Sequence, residues 1–326
     1  MNKKVGYAIA LAIALAAPFY GYPVFLMKLL CFALFACAFN LLIGYTGLLS
    51  FGHAAFFGGA GYVTGYALRT WGWPTELGLL AGVATGAFLG LVMGGLAIRR
   101  QGIYFTMITL ALAQMVYFLA LRLPFTGGED GLQGVPRGTL LGTIDLGNDT
   151  VLYYLVLAIF IAGFALIVRT IHSPFGQVMK AIKENEPRAI SLGYDVNKYK
   201  LMAIVLSASL AALAGATKTL VLGFETLTDV YWGMSGLVVL MTLVGGMGTL
   251  AGPIIGAVLI IALENKLGDV GVFLASHTGV EWFGTLGESV GIVTGIIFVI
   301  CVLMFRRGIV GEALARFGNR AAKPTA

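Results

Sequence analysis

The sequence is poor in charge. Of its 326 residues only 11% are Asp, Glu, Lys or Arg, against about 25% in a soluble domain, and that deficit places the chain in a lipid bilayer. Cysteine is scarce too. Cys31, Cys37 and Cys301 lie inside apolar runs with no CxxC spacing and no nearby histidine, so they read as buried thiols, and neither a disulfide nor a metal site is expected. No GxxxxGK[ST] phosphate loop is present. Gly215-Ala216-Thr217-Lys218-Thr219 lacks that spacing and follows no strand, so any nucleotide chemistry belongs to another chain. Apart from His53, the apolar runs hold no central Asp, Glu or His, the groups an ion-coupled secondary transporter would use. That carrier class remains the alternative, because glycine-broken helices occur there as well. The lack of paired acids and bases or of metal-ligand clusters argues against an embedded enzyme, and no cofactor is expected.

What is present is hydrophobic sequence and glycine. Hydrophobic residues make up 59% of the chain and the mean hydropathy is +0.91. The 46 glycines are roughly twice ordinary usage, as suits membrane helices that approach closely rather than barrel strands. The net charge of +6 reads as loop charge on one side of the membrane and not as a nucleic-acid footprint.

Nine apolar stretches follow one another. The first, Val5 to Tyr20, follows Lys3 and Lys4, and Ala14-Leu15-Ala16 resembles a signal cleavage site. A second run, Val24 to Ile43, begins only three residues later, which favours an uncleaved first span. From Gly44 to Phe57 glycines and small polar residues interrupt the apolar text. Irregular backbone at membrane depth is tolerated only where it is buried in protein or lines a wet cavity. Asn40, Tyr45, Thr46, Ser50 and His53 are therefore candidates for a path lining, with Gln114 in the later run Ile103 to Leu121. For His53 and Gln114 the alternative is a hydrogen bond between helices.

Trp71 and Trp73, beside Pro74, read as an interfacial belt. In Leu77 to Ile98, Gly78, Gly82, Gly86, Gly90 and Gly94 recur every fourth residue, a stripe along which a neighbouring helix should pack backbone to backbone. A polar connection occupies residues 123–150. The run Leu201 to Gly223 carries its own small-residue patch, from Ala211 to Ala216. Met234 to Leu263 is too long for one straight crossing of a hydrocarbon core of about 30 Å. Gly245-Gly246-Met247-Gly248 and Pro253 break it into a half-helix, a turn and a returning helix. A polar piece, Glu264 to Glu288, leads to the last span, Ser289 to Phe305.

The expected fold is an all-α polytopic membrane protein over residues 1–305, with about eight transmembrane helices and one glycine-broken re-entrant segment, followed by a basic tail, 306–326. With the N-terminus cytoplasmic, 15 basic residues fall inside and 6 outside, as the positive-inside rule requires. This count puts both termini in the cytoplasm and Lys218, within the run Leu201 to Gly223, on the outer side.

The one long charged interlude, Ser173 to Lys200, reads as two short helices. Ser173 caps the first with Pro174 at its opening. Phe175, Val178, Met179 and Ile182 form one apolar stripe. Pro187 starts a second helix that Gly193 closes. The segment is either an ordinary solvated loop or a docking knuckle whose stripe faces a partner or the membrane surface.

Three pieces of the chain together resemble the permease subunits of branched-chain amino-acid ABC importers, LivM type. They are Gly44-Tyr45-Thr46-Gly47 with Ser50-Phe51-Gly52-His53-Ala54; Thr126-Gly127-Gly128 with Asp130-Gly131; and Ser173-Pro174-Phe175-Gly176 through Glu184-Asn185-Glu186 to Leu192-Gly193-Tyr194. The general importer motif is Glu-Ala-Ala, three residues, then Gly. With Gly193 as its glycine, only Ala189 and Gly193 match. The resemblance implies a pore-forming subunit of a bacterial inner membrane. It implies pairing with a second similar permease, two cytoplasmic ATP-binding subunits and an extracytoplasmic solute-binding protein. Residues 171–200 would be the cytoplasmic coupling loop, with Phe175, Gly176, Val178, Met179, Ile182, Arg188, Ala189 and Gly193 contacting the ATPase. Residues 123–150 would be the extracytoplasmic loop, with Thr126, Gly127, Gly128, Asp130 and Gly131 docking the binding protein.

Overall fold

The computed structural model describes residues 12–278, 290–304 and 308–312. Residues 5–11 of the run from Val5, the end of the polar piece before the last span, the ends of that span and most of the basic tail lie outside the described residues. Among those described, five helices are long and apolar enough to cross a membrane: α1 (Pro23–Thr46), α3 (Thr75–Ala97), α4 (Ile103–Arg122), α5 (Asp149–His172) and α8 (Val196–Leu222). Shorter or later helices are α2 (His53–Arg69), α6 (Pro174–Glu184), α7 (Glu186–Ser191), α9 (Leu227–Val230), α10 (Trp232–Gly245), α11 (Gly252–Thr278) and α12 (Val290–Met304). Strand is confined to two-residue pieces. β1 (Leu132–Gln133) pairs antiparallel with β4 (Phe224–Glu225), and β2 (Thr139–Leu140) with β3 (Ile144–Asp145).

The core is built around α1 and α8. From Cys31 to Thr46 every residue of α1 is buried, as expected of a helix that is apolar all round. α8 lies against α1, α2 and α3 together. Its contact with α3 is the glycine stripe. A Cβ added at Gly90 would stand 2.6 Å from the Ala208 Cβ, and one at Gly86 would stand 2.9 Å from the Ala208 carbonyl and against Ala212. The small-residue patch of α8 and the stripe of α3 are thus two halves of one interface. The opposite face of α3 exposes Leu80, Phe88 and Leu91.

Two helices are too short to cross alone. At 1.5 Å per residue the 17 residues of α2 reach about 25 Å and the 14 of α10 about 21 Å. Each is completed by irregular backbone, and the starts of the two helices meet: the Ser235 hydroxyl donates to Phe51 O (2.8 Å) and accepts from Ala54 N (2.9 Å). α10 and α11 form the expected broken hairpin, crossing where Gly245 and Gly256 admit the other helix's backbone. Two expectations need correction. Irregular chain is limited to residues 47–52, because α1 stays helical through Thr46 and closes on Gly47 at φ 75°. The polar piece after Leu263 is helical as far as Thr278, its charges spaced within a continuing helix.

Overpacking a fitted core position costs about 1–3 kcal/mol, and more where backbone is struck. Gly86→Leu should therefore lower the thermal midpoint and the yield of folded chain sharply, while Gly95→Leu, on the same helix with nothing within 4 Å of its added Cβ, should do neither. Size-exclusion profiles and thermal unfolding of the two variants check this.

Candidate functional site

Near the middle of the bundle the polar residues work as joints. The Ser207 hydroxyl donates to Ala38 O (2.6 Å), so it accepts from His53 Nε2 at 2.9 Å. The His53 ring is packed edge-on against Phe39 and Phe56. Asn40 spans the turn between α10 and α11, accepting from Gly248 N (2.8 Å) and donating to Thr249 O (2.9 Å). Ser50 accepts from Gly52 N (3.1 Å), and the Thr46 hydroxyl returns to Leu42 O. Tyr45 is buried with the Lys180 ammonium 5.9 Å from its ring. The structure does not gather these side chains around a common cavity. Breaking a helix frees backbone groups, and Asn40, Ser50 and Ser235 satisfy them. Gln114 alone is half-buried, on α4, apart from the rest. A cleft of about 230 Å³ lined by Val63, Tyr66, Trp71 and Phe125 is apolar and contains none of the six.

The charged interlude folds as the two predicted helices. The Ser173 hydroxyl accepts from Gly176 N (3.3 Å) and the Asn185 side chain from Arg188 N (3.0 Å), capping α6 and α7. Gly193, at φ 86°, takes the left-handed position after α7. The stripe, however, faces inward. Met179 and Phe175 join the main core, Phe175 stacks on Tyr199, and Val178 and Ile182 close on Ala189 and Val196. Gly176 abuts the Thr170 and Ile171 carbonyls at the end of α5. The expectation that the stripe enters a partner is therefore corrected: the large apolar side chains that stay open on the knuckle are Ile190, Leu192 and Tyr194, beside the exposed Arg188, with Leu192 67% exposed. Sequence reasoning passed over Ile190, Leu192 and Tyr194 because they follow no helical period. Their signal was apolar side chains crowded against a capping glycine. Lys200, counted among the solvated charges, is buried and bonds Glu186 at 2.6 Å, which also accepts from Gln101 (2.9 Å). α7 is thereby anchored to α8 and to the turn between α3 and α4.

At the far end of α8 the loop 123–135 folds over the bundle. Thr126 is buried, with its hydroxyl 2.5 Å from Ala120 O and 2.6 Å from Leu123 O. Gly127 lies against the Gly131 carbonyl, and Gly131 against that of Glu225. Thr126, Gly127 and Gly131 shape the loop, Gly128 is half-buried, and Glu129 and Asp130 face outward. Beneath it sits a charged cluster absent from the sequence reading. Lys218, counted on the outer side at the end of its span, is in α8 and buried, paired with Asp229 and with Glu225 at 3.3 Å. Its signal was Glu225 and Asp229 four residues apart just after a span that carries a lysine, Lys218, one turn before its end.

Profile comparison matches residues 23–302 to the family described as "Branched-chain amino acid transport system / permease component". Over 300 residues the chain is 26% identical to the high-affinity branched-chain amino acid transport system permease protein LivM of Salmonella typhimurium, and 25% identical to that of Escherichia coli. Each alignment covers 82% of this chain and 69% of the relative. The autoinducer 2 import system permease protein LsrC of Klebsiella pneumoniae is 32% identical over 197 residues, 57% of this chain and 53% of the relative. The family match spans residues 23–302, most of the chain, so the chain belongs to the branched-chain amino acid transport system permease family, a family of ABC-type membrane permeases.

Proposed function

We propose that the chain is the pore-forming permease subunit of an importer for branched-chain or related hydrophobic amino acids, driven by separate ATP-binding subunits. The observation that carries the reading is the knuckle. A surface loop needs neither two capped helices nor a buried ion pair, yet α6 and α7 are fixed to α5, α8 and the α3–α4 turn. So braced, they present Arg188, Ile190, Leu192 and Tyr194 outward. Such a tip is fitted to the groove of a cytoplasmic ATPase, apolar at its centre and charged at its rim.

In this reading both termini are cytoplasmic, a solute-binding protein docks on Glu129, Asp130 and the loop that Thr126 and Gly127 shape, and a second similar permease completes the pore. The path lies between the two permeases, where Gln114 on the half-open α4 is better placed to line it than the packed His53. Motion enters through the Lys183 ammonium, which reaches from α6 to Gly44 O at the end of α1 (2.7 Å). Asn40, one turn earlier, holds the α10–α11 turn.

Leu192→Asp places a charge at the exposed tip without touching the core. It should weaken ATPase-subunit binding at least tenfold, since losing a central contact can cost about 2 kcal/mol, and leave the thermal midpoint unchanged. Phe175→Ala should do the reverse, destabilising the chain through its lost packing on Tyr199. Pull-down with the ATPase subunit and thermal unfolding separate the two, and unaltered binding by Leu192→Asp would refute the docking tip.

Asn40→Leu removes both bonds to the α10–α11 turn and keeps the side-chain volume. Each lost bond to a buried backbone group costs about 1–3 kcal/mol, so solute uptake into proteoliposomes should fall roughly tenfold or more while ATPase subunits still bind. Full uptake by this variant would show that the turn plays no part in transport.

A further inference from the structure

The proposed coupling route makes no use of the buried charges beyond the end of α8. Lys218 is 3% exposed, Glu225 0% and Asp229 4%. The ammonium sits closest to Asp229, whose Oδ2 also accepts from Thr226 N (3.3 Å) and Thr226 Oγ1 (2.7 Å). Lys218 and Asp229 therefore form the ion pair, and Glu225 is a second carboxyl in a closed space that holds one cation. Glu225 Oε2 lies 3.3 Å from the same ammonium, and a second ionised carboxylate sharing one cation in that closed space is far costlier than a neutral acid.

The hydrogen bonds separate the two forms. Thr219 Oγ1 lies 2.5 Å from Glu225 Oε2 and 3.1 Å from Gly215 O, and a hydroxyl has one hydrogen to give. An ionised Glu225 and the Gly215 carbonyl would compete for it. A proton on Oε2 removes the conflict, because the acid donates to Thr219 and Thr219 donates to Gly215 O. Glu225 Oε1 is buried with no hydrogen-bond partner, as is the Tyr62 hydroxyl of α2. A bare acid carbonyl is tolerable there; half of a carboxylate is not. The surroundings are cut to this side chain: a Cβ at Gly61 would come within 2.5 Å of the Glu225 carboxyl carbon.

We propose that Glu225 is a proton-binding site, holding its proton at neutral pH and donating it from Oε2 to Thr219 beside the Lys218–Asp229 pair. The groups that face it are Lys218 and Thr219 from α8, Asp229 from α9 and Tyr62 from α2, while β1 offers Leu132 and backbone. Burial pushes the Glu225 carboxyl up to about 8, against the pull of Lys218 and with the push of Asp229. β4 carries Glu225, pairs with β1 of the loop, and leads through α9 into α10. Loss of the proton therefore puts a charge where the loop joins the broken hairpin. A glutamate holding its proton to higher pH than the unfolded value of 4.5 contributes stability that is whole below about 4.5, is lost progressively as pH rises to about 8, and is constant beyond.

The test needs no solute and no partner. Infrared difference spectra of the full chain in lipid nanodiscs, taken through an alkaline titration, should show a carboxylic-acid carbonyl band that disappears around pH 8 and is missing from Glu225→Gln. Thr219→Val, which removes the acceptor at constant volume, should shift that band and not abolish it, so the assignment survives if the glutamine variant does not fold. Thermal unfolding, followed by labelling of the buried Cys31 and Cys37 thiols, should show a fall in midpoint from about pH 5 to about pH 8 in the native chain that Glu225→Gln lacks. Carboxylic bands indifferent to both substitutions, or parallel stability profiles, overturn the proposal.

Discussion

Backbone hydrogen bonding at membrane depth is the constraint on which this structure turns. No water is at hand in a hydrocarbon core to receive an N–H or C=O freed by a broken helix, so every break has to be closed from within. Among the described residues the chain breaks at 47–52 and between α10 and α11, and the buried side chains of Asn40, Ser50 and Ser235 stand at those breaks. Ser235 serves Phe51 and Ala54, Asn40 serves Gly248 and Thr249, and Ser207 bonds α1 while receiving His53.

The same constraint separates what was legible in the sequence from what was not. Helix positions, the glycine stripe and the broken hairpin follow from composition and spacing, since lipid demands length and close packing demands small residues. The identity of the stripe's partner is a tertiary fact, although the patch from Ala211 to Ala216 supplied half of it. His53 and Asn40 read equally well as path lining or as joints, because a polar residue among apolar ones announces only that it has a partner. Whether that partner is solute, water or backbone depends on which breaks come together in space.

Periodicity misled at the knuckle for a related reason. Phe175, Val178, Met179 and Ile182 do form a buried face, and a repeat of 3.6 reveals that a face is buried without saying against what. In a membrane protein the nearest apolar surface is the chain itself, here the ends of α1, α5 and α8. The contact surface left for a partner is set by the turn that ends α7, where no period applies and where Gly193 forces Leu192 and Tyr194 outward.

Charge is arranged by the same logic at the two ends of α8. Lys200 holds Glu186 near its start and Lys218 holds Asp229 and Glu225 near its finish, so the helix at the centre of the bundle is tied by buried ion pairs to the segments that follow and precede it. Buried pairs add little net stability but penalise every arrangement that separates them. Two such ties fix α7 at one end and the β4–α9 segment at the other to a single rigid helix, and displacement of either end is then shared with α1, α2 and α3, which pack along it. The middle of α8, lined by Ala208, Ala212 and Ser207, holds no charge. There the contact is set by shape, since the α3 glycines leave room only for the Ala208 and Ala212 methyls, whereas the two ends are set by charge.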